Sequence, residues 1–343
     1  MPIVTRSRRL LAVTALAASG VLVLAGCSSD AEEDDTSAGA ESPAAEAPAD
    51  EAGDDAGEWP RTFENADGTT TEIPEQPTNI LSTTVSTTGT LLSIDAPVTV
   101  TATDANGDFF PQWADAAESA GVEKAWPAGA PDIEAAIAAQ PDLIVVATTG
   151  QDAMVDAVAD LQAIAPTIVI DYGAESWQDL AVELGEATGL EAQAQAAIDA
   201  YDDLVESTAA SIVVPEGQAN IVSYNGPGGS NPIGHADGPH GSILQALGFS
   251  IEEPNAEWHT QPEARADFVF ADYEHLTELT ADTTFILSQD DEGAREGFGA
   301  DEVLANVPSV KNGQVYGLGA NSFRIDMFSA TEIVEHIAET FAG

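Results

Sequence analysis

The chain has 343 residues, with 9 Lys and Arg against 59 Asp and Glu and a formal net charge of −50 at pH 7. So large a surplus of acid argues against a nucleic-acid partner, because phosphate contacts are made by Lys and Arg. The single cysteine excludes an internal disulfide and a cysteine-rich metal centre.

The first 26 residues have a basic start (Arg6, Arg8, Arg9), an apolar run from Leu10 to Leu24 and small residues before Cys27. That is the pattern of an export signal rather than of fold. The apolar run is also shorter than the roughly 20 residues a spanning helix needs. Leu24-Ala25-Gly26-Cys27 resembles the lipobox of bacterial lipoproteins, which implies that Cys27 becomes a lipid-modified N-terminus held on the outer face of the cell membrane. Residues 27–58 are acidic and almost free of large apolar side chains. Such a segment buries too little surface to offset its ordering entropy and reads as a disordered tether.

Beyond it, short β-branched runs predict strands at 79–83, 98–103, 142–148, 167–172, 219–224, 283–288 and 314–319. Between them, Met154, Val155, Val158 and Leu161 keep helical spacing, as do Ile333, Val334, Ile337 and Phe341. Strands alternating with helices give an α/β fold with parallel sheet. Residues 175–212 are Ala-rich and read as a long linking helix between an N-terminal lobe (59–174) and a C-terminal lobe (213–343). A repeat supports two lobes: Asp132, Glu134 and Asp142 have the same spacing as Asp272, Glu274 and Asp282, and each set runs directly into a predicted strand. A cleft between two such lobes is a common place for a ligand.

No G-x-S-x-G, P-loop, H-E-x-x-H or strand-linked G-x-G-x-x-G is present, so no catalytic machinery is visible. His235, Asp237 and His240 share a Gly/Pro-rich loop. They leave open a metal-dependent surface enzyme, although no further close His or Cys completes a ligand set.

Four stretches, 59–98, 141–150, 176–189 and 322–337, together resemble the substrate-binding proteins of ferric-siderophore ABC importers. The resemblance implies two Rossmann-like lobes joined by one rigid helix, the class III periplasmic-binding-protein fold. It also implies a monomer that takes a ferric siderophore and delivers it to an ABC permease, with no cofactor and no protein ligand on the iron. An enterobactin-type catecholate is the favoured ligand. A ferric tris-catecholate is trianionic and aromatic, and calls for cations with aromatic neighbours. The resemblance places Arg324, beside Phe323, and Arg265 at the ligand. Lys124, Trp126, Thr84, Ser86, Thr87 and Tyr224 are further candidates, and an ion pair with Asp326 is the structural alternative for Arg324. The family's docking glutamates correspond to Glu134 and Glu274, which the resemblance directs at arginines of the permease. Helix-dipole stabilisation is the alternative there. The enterobactin receptors are rich in basic residues where 106–123 here has none. A cationic or neutral hydroxamate complex is therefore an alternative ligand, and a cobalamin or haem receptor, which shares this architecture, is the runner-up within transport.

Overall fold

A computed structural model of the protein describes residues 57–150, 152–173 and 175–343. The export signal, Cys27 and the tether up to residue 56 lie outside the described residues. An antiparallel hairpin, β1 (Arg61–Glu64) and β2 (Thr70–Ile73), opens the fold. It leads into β3 (Ile80–Ser82), α1 (Val85–Ser93), β4 (Val98–Thr103), α2 (Pro111–Ala120), β5 (Glu123–Pro127), α3 (Ile133–Ala139), β6 (Leu143–Ala147), α4 (Val158–Gln162) and β7 (Thr167–Ile170). The last five strands form one parallel sheet in the order β5-β4-β3-β6-β7. β6, with the sequence LIVVA, is buried along its whole length, as befits a parallel strand covered on both faces.

The segment expected to form one linking helix forms two. α5 (Trp177–Thr188) is capped by the Ser176 side chain, and α6 (Glu191–Ser211) carries the chain onward. Gly189 separates them at φ +73°, a left-handed conformation that glycine adopts without the Cβ penalty. α5 folds back against α6, so α6 is the helix that carries the chain from the first sheet to the second.

The C-terminal part contains β8 (Gln218–Val222), β9 (Asn231–Gly234), α7 (Pro239–Ala246), β10 (Ser250–Ile251), β11 (Phe268–Ala271), β12 (Thr283–Ile286), α8 (Asp291–Glu296), α9 (Pro308–Asn312), β13 (Val315–Gly317) and α10 (Met327–Thr340). Its sheet runs β11-β9-β8-β12-β13, with β10 on β8. It is mixed rather than parallel: β9 is antiparallel to both β8 and β11. The loop from β8 to β9 is too short for a crossover helix, so the chain turns back as a hairpin. The repeat is real in three dimensions. β6 and β12, which follow its two copies, hold the same fourth place in their sheets.

α10 packs on α6, α1 and α2, burying Ile333, Val334 and Ile337. Its start is fixed by a capping box between Asp326 and Ser329, which satisfies backbone donors that a helix end otherwise leaves orphaned. The chain end bridges Ile212 through Ala342. One apolar cluster therefore runs from Phe63 in the opening hairpin through Tyr201 of α6 to Phe285 and Phe341. Among the described residues no helix is long and apolar enough to cross a membrane.

Candidate ligand cleft

The wall on the side of the first sheet is built around a buried carboxylate. Asp152, only 1% exposed, accepts bonds from Thr84 Oγ1 at 2.7 Å, Tyr172 Oη at 2.8 Å and the Ser86 backbone N–H at 3.4 Å. These donors come from the end of β3, the start of α1 and the residue pair after β7. Gly150 sits at φ +88° where a Cβ would collide with Tyr172 Oη, so glycine is required for the phenol to reach the carboxylate. Burial first, and then the Asp152 charge, push the Tyr172 phenol up.

The opposite wall is aromatic. Phe323 stacks on Phe268 of β11 with ring centroids 5.6 Å apart and planes 5° from parallel. His240, in the first turn of α7, leans on Phe268 at 5.3 Å and donates from Nε2 to the Ser322 carbonyl at 2.7 Å. Burial pushes its pKa down to about 4, so the ring is neutral at pH 7. Arg265 pairs bidentately with Asp267, at 2.7 and 2.5 Å, and its guanidinium lies 5.5 Å from the Phe270 ring centroid.

Arg324 reaches across. Its Nη1 donates to Ser86 Oγ at 2.6 Å, and its guanidinium carbon sits 5.3 Å from the ring centroid of Phe110. No carboxylate forms an ion pair with it among the described residues. Asp326, the expected alternative partner, instead caps α10 and accepts from Gln112 Nε2 at 3.2 Å. Ser86, Arg265, Phe323 and Arg324 thus meet in one open cavity of about 320 Å³, with Tyr172, Trp177, His240, Phe268 and Phe270. The cavity adjoins a recess of about 250 Å³ along α6, with which it shares Trp177, Pro239 and Asp267.

The other predicted site residues lie elsewhere. Thr84 supports the wall from behind, and Thr87 is buried with its hydroxyl unpartnered. Lys124 pairs with Asp108 at 3.1 Å over the Phe109 ring, and Trp126 is a core side chain. Tyr224 donates to Asp301 at 2.5 Å, packs on Phe298 and is not among the residues lining the cavity. His235 bonds Glu253, and among the described residues no group of His, Cys, Asp and Glu could hold a metal ion. A larger recess of about 610 Å³ beside β1 and α5 is lined by Glu64, Glu183, Glu186 and Glu191. Its one cation, Arg61, is already committed to Glu191 and the Glu186 carbonyl. Glu134 and Glu274 are exposed, each in the first turn of a helical segment. Sequence reasoning missed Tyr172, Trp177, Phe268, Phe270 and Asp152. The only signal was the strand ends, since ligands of α/β sheets gather outside the carboxyl ends of strands.

Residues 80–322 match the periplasmic binding protein family. The chain is 33% identical over 296 residues to the ferric enterobactin-binding periplasmic protein FepB of Escherichia coli, covering 83% of this chain and 92% of the relative. It is 24% identical to the probable siderophore-binding lipoprotein YfiY of Bacillus subtilis, covering 75% and 79%. The crystal structure of holo-ViuP superposes with a TM-score of 0.81 at 48% identity, covering 84% of this chain and 97% of that one.

Proposed function

This chain belongs to the periplasmic binding protein family, and we propose that it is an exported receptor that captures a ferric siderophore between its lobes and hands it to an ABC permease. It is a binding protein and performs no covalent chemistry. The observation that carries the ligand class is the cavity itself: a guanidinium without an acidic partner faces a stacked pair of phenylalanines. Flat aromatic ligands bearing negative charge match that combination. A catecholate complex of the enterobactin type is therefore the favoured ligand, in keeping with the name of the Escherichia coli relative. The iron stays inside the siderophore, with no side chain of the protein as ligand. Cys27 carries the lipid anchor, in line with the lipoprotein name of the Bacillus relative, and the receptor works as a monomer. Glu134 and Glu274, at matching places of the repeat, dock on basic residues of the permease.

A second reading has its own observation. No Lys or Arg occurs between residues 106 and 123, and Arg265 is already paired. A cationic or neutral hydroxamate complex meets less repulsion from such a protein.

Titration with ferric enterobactin and ferrioxamine, followed by quenching of intrinsic tryptophan fluorescence, to which Trp177 in the cavity lining contributes, separates the two. Tight binding of ferric enterobactin that weakens by about tenfold or more in Arg324→Ala is expected, as for loss of a charge-assisted bond. Binding of ferrioxamine alone would overturn the catecholate assignment.

A further inference from the structure

Each positive charge of the cavity has a fixed negative charge behind it. For Arg265 the partner is direct, through the bidentate bond to Asp267. For Arg324 it is one residue removed: Ser86 accepts Nη1 on its side chain and donates its backbone N–H to buried Asp152. Tyr172, bonded to the same carboxylate, feels the opposing charges of Asp152 and Arg324. Glu175 at the cavity edge adds one more acid. We infer that Asp152 is a specificity-determining residue, the relayed counter-ion of Arg324, which holds the guanidinium in the free protein and lowers the preference of the cleft for highly charged anions.

This rests on the siderophore reading and deepens it. A multiply charged ferric complex must draw Arg324 away from Ser86 while meeting the field of a buried carboxylate. A neutral complex bears no such cost. At an effective dielectric near 20, unit charges roughly 10 Å apart change a binding constant on the order of tenfold. The effect scales with the charge of the ligand, which a purely structural role would not reproduce.

The test measures ferric enterobactin, a trianion, and neutral ferrichrome against the full chain and against Asp152→Asn, Asp152→Ser and Tyr172→Phe. Two neutral replacements are used so that the result survives if one of them fails to fold, which thermal melting reports. The expected outcome is that either neutral replacement tightens ferric enterobactin by about tenfold or more and changes ferrichrome by less than about twofold. Tyr172→Phe, which keeps the carboxylate, should not alter the ratio between the two ligands. Equal changes for both ligands, an unchanged or weaker hold on ferric enterobactin, or a shift toward ferric enterobactin in Tyr172→Phe as large as in the Asp152 variants would overturn the role of Asp152. A wild-type chain that binds neither complex would instead remove the siderophore reading, and the inference with it.

Discussion

Asp326 is a carboxyl group that the fold keeps at a cost. It is 1% exposed, and burial pushes its pKa up to about 6 from 3.8, against the pull of its bonds to Ser329 and Gln112. Because the folded pKa is raised, the native state favours the protonated form. The stability this gives is complete below about pH 4 and is lost as pH rises through about 6. Asp326→Asn keeps a capping oxygen and removes the titration. It should be more stable than wild type at pH 7 by up to about 3 kcal/mol, the equivalent of the shift, with the gap closing toward pH 4. Urea unfolding at several pH values reads this directly, and parallel curves for the two proteins would contradict it. At this scale the sequence was partly legible. Arg324 stood out because cations are so rare, and it does face the cavity. Asp152 gave no sign, since nothing in its neighbourhood says that a strand end, a helix start and a tyrosine twenty positions on converge there. Trp126 and Tyr224 show the converse. An aromatic ring serves a core as readily as a ligand, and only packing tells which.

Among elements, all seven predicted strands are present, because continuous β-branched runs mark buried strands irrespective of their partners. β9 was hidden by Pro232 and Gly234, which read as turn, and β5 by its largely exposed, charged start. The two-helix connection was marked by Gly189 itself, but whether a glycine interrupts a helix depends on what packs at the break. Here α5 returns along α6. The contact between α1 and α10 has a sharper requirement. Gly89 faces Asp326 and Trp113 so closely that a Cβ would overlap both. Gly89→Ala is expected to cost about 1–3 kcal/mol, as overpacked interiors do, and to loosen ligand binding because Ser86 lies on the same helix. An unchanged denaturation midpoint would show that α10 can give way.

For the whole molecule, the repeat was legible as spacing and the two-lobe plan followed from it. The mixed character of the second sheet was not, since strand direction depends on loop length and pairing rather than on any one run. What fixes the lobes is double: α6 and α10 both span them, within one apolar cluster. A frame of this kind keeps Glu134 and Glu274 at a set separation, as two-point docking needs. Glu134→Lys combined with Glu274→Lys is expected to abolish uptake through the matching permease while leaving affinity for the ferric complex unchanged. Uptake that survives the double reversal would remove the docking role.

The position of α10 also dictates a folding order. Gln112 of α2 waits for Asp326, 214 positions later in the chain, and α1 waits for the same helix. Contacts so distant in sequence are slow to close. The first lobe therefore cannot complete its surface while the ribosome is still making the second. The nascent chain stays unfinished until its last helix emerges, so a chain cut short before α10 leaves Gln112 without its carboxylate and one face of α1 uncovered.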